Sequence, residues 1–181
     1  ADRAVTSKPI SRAVAATEVY AEDPKGPTFD HSRFDELLRK RVTPDGRVDY
    51  DALAGEPAAL DEYVRTLATA PLDALDRNER LALLVNAYNA FTLRLILDHH
   101  PVRSIKDIPS RERWDAVRWQ LAGRTVSLNQ MEHEWIRKNF QEPRIHFALV
   151  CAAIGCPPLR REAYVGRRIE EQLEAQARYV H

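Results

Sequence analysis

The chain has 181 residues, with 27 Lys and Arg against 27 Asp and Glu and a formal net charge of zero, a length suited to one sizeable core without a second domain. That balance excludes the broad basic footprint of a protein that covers nucleic acid or an anionic membrane. Two cysteines are too few to serve as a disulfide scaffold.

In chain order, residues 1–28 contain Pro9, Pro24, Gly26 and Pro27 with weak periodicity and read as an N-terminal extension ahead of a domain at 29–181. Phe34, Leu37 and Leu38 at helical spacing after a capping Asp30 predict a helix, closed by the turn Thr43-Pro44-Asp45-Gly46. Val48, Tyr50 and Leu53 fit a short strand or a lead into the next helix. There Leu60, Tyr63, Val64 and Leu67 form an i, i+3, i+4, i+7 stripe that Pro71 ends. The strongest helix runs from about Arg77 to Asp98 and carries Leu81, Leu84, Val85, Tyr88, Leu95 and Ile96, as a central core helix would. Asn86, Asn89 and Arg94 interrupt the apolar stretch Leu81 to Leu97, so no membrane span and a soluble protein are expected. Apolar arms around Ala122-Gly123-Arg124, within 119–128, predict a small antiparallel hairpin. Ser127 followed by Gln130 predicts a capping box and a helix to about Asn139. Residues 145–150 fit either a buried strand or a helix, and Ile169 to Val180 predicts a last helix. The whole reads as a single, mainly helical α+β domain.

Chemistry concentrates at 143–158, where both cysteines, Cys151 and Cys156, lie within ten residues of His146. From Arg137 to Arg168, Arg137, Lys138, Arg144, Arg160, Arg161, Arg167 and Arg168 face only Glu142 and Glu162, which predicts either positive surroundings that favour a thiolate or a solvated basic face. Four readings of the cysteines stand together. A nucleophilic thiol would take His133 or His146 as its base. A Cys151 to Cys156 disulfide would need the Gly155-Cys156-Pro157 turn to fold back. Zinc would use His133, His146, Cys151 and Cys156. Buried structural thiols would need no partner chemistry.

A helix advancing about 100° per residue places Leu128, Met131 and Trp135 on one face, with Glu132 roughly 40° from Leu128 and thus inside the apolar stripe. A carboxylate there has to be protonated, ion-paired to an arginine or hydrogen-bonded, or else forms an acid-base pair with the adjacent His133. Asn86 and Asn89, poor helix formers in the most apolar helix, either satisfy loop backbone in the core or orient a catalytic imidazole or an oxyanion.

The ordered set Leu84-Val85-Asn86-Ala87-Tyr88-Asn89-Ala90, Pro101-Val102-Arg103-Ser104-Ile105, Met131-Glu132-His133, and His146-Phe147-Ala148-Leu149 with Cys151 and Cys156-Pro157 resembles the domain of unknown function 547 family over roughly residues 29–181. The resemblance implies polar motif residues at Asn86, Asn89, Glu132, His133, His146, Cys151 and Cys156, and imposes no reaction. Bacterial members of that family are usually exported or periplasmic, and plant members resemble interaction proteins with an added leucine zipper. Plant relatives tend to have serine where Cys156 stands, which points to Cys151 as the key thiol. Relatives also continue into an aromatic-rich C-terminal segment that this chain, ending at Tyr179-Val180-His181, is expected to lack.

Two functions are expected. The first is a cysteine-dependent hydrolase or acyl transferase with Cys151 as nucleophile, His133 as base and Glu132 or Asn86 fixing the imidazole. In it Asn89, His146, Cys156 and Arg144 would bind a small-molecule or peptide ligand, with no cofactor other than an optional zinc. The inventory resembles papain-like and transglutaminase-like enzymes in the reverse chain order. The second is a non-enzymatic binding or scaffold module of the cell envelope. The opening Ala1-Asp2-Arg3 fits a mature periplasmic or secreted chain.

Overall fold

The computed structural model describes residues 26–102, 105–150 and 157–180. Predictions that fall on the N-terminal extension before residue 26, on Arg103 and Ser104, and on the two cysteines lie outside the described residues.

Helix α1 spans Ser32–Arg41 and buries Phe34, Leu37 and Leu38, the predicted stripe, together with Asp35. Asp30 does not cap it directly. Its carboxylate accepts the Ser32 amide at 2.9 Å, an Asx turn that leads into the helix. The predicted turn follows, with the Gly46 amide donating to the Thr43 carbonyl at 2.9 Å and Gly46 at φ +83°. Val48 makes a single antiparallel bridge to Val42. Helix α2, Tyr50–Gly55, then starts on Asp49, whose side chain accepts from the Ala52 amide, so the strand and helix alternatives both hold in part. Helix α3, Ala58–Leu67, buries Leu60, Tyr63 and Leu67 and stops before Pro71.

Helix α4, Arg77–Asp98, is capped by Asp76, whose carboxylate accepts the Glu79 amide, and every residue from Leu81 to Leu93 is buried. A helix apolar on all sides belongs in a core. By length and composition alone it could cross a membrane, yet its most apolar window is 89% buried inside the fold. A 3-10 turn at Leu72–Ala74 precedes it, and another at Ile105–Asp107 and the short helix α5, Ser110–Arg113, follow it. Strand β1, Trp119–Leu121, pairs antiparallel with β2, Arg124–Val126, in the register Trp119 to Val126. Trp119 stacks on Phe91 of α4 with ring centroids 4.9 Å apart, which fixes the hairpin to the core.

The predicted capping box is present: Ser127 accepts from the Gln130 amide, and the Gln130 side chain accepts from the Ser127 amide. The helix it opens differs from expectation. After one α turn, α6 at Leu128–Gln130, the backbone becomes a π-helix over Met131–Arg137. With bonds to the fifth residue rather than the fourth, Met131 and Ile136 become the buried pair, while Trp135 and Glu132 turn to its flanks. The ambiguous 145–150 segment resolves into one helical turn, α7 at Ile145–Ala148, followed by extended Leu149. A 3-10 turn at Gly166–Arg168 leads into the predicted last helix, α8, Ile169–Val180. The fold is a mainly helical α+β domain wrapped around α4.

Candidate functional site

Asn86 and Asn89 lie three residues apart and so share one face of α4, at 0% and 2% exposure. The Asn89 amide donates to the Ala148 carbonyl at 3.0 Å and accepts from the Val150 amide at 3.0 Å. The Asn86 amide donates to the Tyr164 carbonyl at 2.8 Å and accepts the Tyr164 amide at 2.9 Å. Each side chain carries one donor end and one acceptor end, and here both ends serve main chain, completing the bonding of irregular buried backbone. This is the backbone-satisfying role. No imidazole faces either amide among these bonds.

The two anchors bracket the cysteine segment. Cys151 and Cys156 lie outside the described residues, but Val150 immediately before them is held by Asn89. Downstream, the Gln176 amide donates to the Pro158 carbonyl at 2.8 Å, and Gly46 approaches Pro158 so closely that a Cβ would overlap it. The Ala163 amide donates to Asp35 at 2.9 Å. Gln172 accepts from the Val165 amide at 2.9 Å and donates to the Ala163 carbonyl at 2.8 Å. Asp35, Gln172 and Gln176 escaped the sequence reading. The signal was there: Gln172 and Gln176 fall with Ile169 and Leu173 on one i, i+3, i+4, i+7 stripe, an apolar face with two amides in it.

Glu132 is not buried in an apolar stripe. The wider π turn brings it to Arg137, five residues on, whose Nε and Nη2 donate to Glu132 Oε1 at 3.1 and 2.9 Å. Its other oxygen, Oε2, lies 3.7 Å from Nε2 of His133, and the His133 side chain is 62% exposed. Carboxylate and imidazole thus stand side by side at the surface, beyond hydrogen-bond distance. Tyr88 of α4 lies within its field. Burial first, and the Glu132 charge second, hold the Tyr88 hydroxyl well above its ordinary range, with Arg137 opposing.

Of the cations counted between 137 and 168, Arg137, Arg144, Arg160 and Arg168 are held in ion pairs. Arg144 binds Glu142 at 2.8 Å and Glu170 at 2.6 Å and reaches Glu174 at 3.4 Å. It ties α7 to α8, and its hydrogen bonds hold the Glu142 carboxyl below the ordinary range. Glu162, 3% exposed, is flanked by Arg160 at 2.6 Å, Arg168 at 3.3 Å and Arg39 at 3.9 Å. Acids outside the 137–168 window, Glu132, Glu170, Glu171 and Glu174, supply the missing partners. Charge counted along a sequence segment missed them because they come from neighbouring turns and from α8. His146 is exposed and, among the described residues, meets the edge of Phe147, ring centroids 5.4 Å apart.

Two buried titratable groups were also not foreseen. His31 is fully buried, its Nδ1 2.7 Å from the Tyr63 hydroxyl, and desolvation pushes its pKa down to about 3, so it is a neutral core residue. Glu79, 4% exposed, sits against Gly166. Among the described residues no three His, Cys, Asp or Glu side chains gather as a metal site, and the cysteines of the zinc reading are not among them.

A family model described as a protein of unknown function, DUF547, matches residues 72–179. No curated protein and no solved structure matches the chain.

Proposed function

The chain belongs to the DUF547 family, whose description assigns no reaction, and from that premise we propose a cysteine-dependent hydrolase or acyl transferase in which Cys151 is the nucleophile. The observation that carries this reading is the clamp of Asn89 on Ala148 and Val150, which fixes the backbone entering Cys151 to the rigid core helix. A nucleophile gains rate from being held in place before the reaction. His133, exposed and backed by Glu132, is the base, and Arg137 holds the carboxylate that fixes the imidazole. Asn86 has no part in it, since both of its ends are taken.

In this reading His133 takes the thiol proton and the sulfur pair attacks a carbonyl carbon, forming the C–S bond while the carbonyl π pair moves to oxygen. Collapse of that oxyanion breaks the bond to the leaving group, which takes the proton back from the imidazolium. Water or an acceptor amine or alcohol then attacks the thioester, and the thiol is regenerated. Alkylation by iodoacetamide near neutral pH, mapped by mass spectrometry, tests this. Cys151 labels faster than free cysteine, His133→Ala slows that labelling, and Cys151→Ala removes it with an unchanged circular dichroism spectrum. Labelling no faster than free cysteine, or labelling indifferent to His133, sinks the reading.

A second reading has its own support. Arg144, Arg160 and Arg168 are held in ion pairs and both asparagines serve backbone, as in a periplasmic or secreted binding or scaffold module whose polar network organises the core. Inert thiols in the same experiment favour it.

A further inference from the structure

The flank of the π-helix opposite Glu132 and Arg137 borders a groove of about 750 Å³ between that helix, the hairpin tip and the 71–74 turn, a size within the roughly 300–1,000 Å³ of small-ligand sites. Trp135, which the π turn leaves half-buried instead of in the core, forms one wall. The guanidinium of Arg124 lies over its ring at 5.7 Å from the centroid, a cation-π contact.

The walls are rigid. At the hairpin tip the Ala122 amide donates to the Leu67 carbonyl at 3.0 Å, and that of Gly123 to Ala68 at 2.7 Å, so the tip is bolted to the end of α3. The Asn139 amide donates to the carbonyls of Glu134 and Trp135 at 3.2 and 3.0 Å, which closes the π-helix and fixes the backbone that carries the indole. The rim holds two cations, Arg124 and Lys138, and two anions, Asp73 and Glu134, all exposed. Among the described residues none of the four forms an ion pair. Elsewhere on this surface opposite charges close on one another, as Arg33 does on Glu62 and Arg178 on Glu174. Here charges of both signs stand apart around an aromatic wall.

We propose that this groove binds a short zwitterionic peptide, its carboxylate received by Arg124 and Lys138, its ammonium by Asp73 and Glu134, and an apolar side chain packed on Trp135. A ligand with one charge would leave half of the rim unanswered, and a neutral ring would use only the indole. The site is independent of the thiol reading.

The probe is Gly-Phe-Gly with free termini, titrated into the full chain and followed by the indole N–H resonances, that of Trp135 being identified by its loss in Trp135→Phe. The Trp135 signal shifts saturably with the free peptide. Acetylating its N-terminus or amidating its C-terminus weakens binding severalfold, and Lys138→Ala or Glu134→Gln does the same while the Trp114 and Trp119 signals stay in place. No saturable shift at millimolar peptide overturns the proposal. So does binding that survives blocking of either terminus, which would mark a one-sign or purely aromatic site. The charge variants stand at exposed positions, and unchanged Trp114 and Trp119 resonances report that the fold is intact. Arg124→Gln, which removes the cation while keeping hydrogen-bonding capacity, weakens binding of the C-amidated peptide less than that of the free one.

Discussion

Glu79 is a carboxyl group with almost no exposure to solvent and, among the described residues, no cation in hydrogen-bond contact. Burial, and then the neighbouring Asp76 charge, push its pKa from an ordinary 4.5 up to about 7, while the Gly166 amide and the Arg167 charge oppose. Among the described residues its Oε2 has no hydrogen-bond partner, which costs less in a protonated acid than in a charged carboxylate. Gly166 is required beside it, since a Cβ would stand 2.6 Å from the carboxyl and 2.7 Å from the Glu79 amide nitrogen. The folded state holds this proton more tightly than the unfolded chain does. Its contribution is therefore complete below about pH 4.5 and is lost as pH rises to about 7. Urea unfolding at mildly acidic and mildly alkaline pH is expected to show a loss on the order of 2 kcal/mol from this group. Glu79→Gln, neutral at both, flattens that dependence. An equal slope in wild type and variant would refute the assignment. Glu79 was not read from the sequence because its position, three residues into an N-capped helix, is where an exposed acid is ordinarily favourable, and only the approach of Gly166 buries it.

The hairpin is an element whose sequence is not the best for its own turn. Ala122 and Gly123 take φ of +51° and +79°, the two left-handed positions of a type I′ turn, for which Asn-Gly is preferred. Alanine in that region costs about 1 kcal/mol, and the amide bonds to Leu67 and Ala68 hold it there. Ala122→Asn is expected to raise stability by roughly 0.5–1 kcal/mol, read as a shift of the urea midpoint at unchanged slope. A lower midpoint would mean that the half-buried Ala122 methyl contributes more than the relief of the turn. The helices that periodicity foretold, α1, α3, α4 and α8, lie where the apolar stripes put them, because burial of a stripe decides a helix. The 128–139 segment resisted such reading. Its start was legible in the capping box, but a π turn has the same composition as an α turn, and the burial of Met131 and Ile136 that accompanies it is a tertiary contact.

The family match begins at residue 72, yet the core does not. Leu38, Leu53, Leu60, Tyr63 and Leu67 are at most 1% exposed, and all precede it. Each such side chain contributes about 1.5–3 kcal/mol by burial, so together they approach a whole domain's stability of about 5–15 kcal/mol. A fragment covering 72–181 is expected to lack a cooperative thermal transition by circular dichroism, and a sharp transition would show that α1 to α3 are an accessory layer. At this scale the division between what was readable and what was not has a physical cause. By itself the sequence determined the helical class, the core helix, the hairpin, the capping box and the family, because periodicity, caps and ordered motifs are local in the chain. Tertiary structure alone decided that Asn86 and Asn89 bind the backbone of Tyr164, Ala148 and Val150, that Arg144 meets Glu170 and Glu174 of α8 and that Trp135 walls a groove. Hydrogen bonds and ion pairs act over a few ångströms of space, and residues distant in the chain come within that reach only when burial of the helices has brought them together.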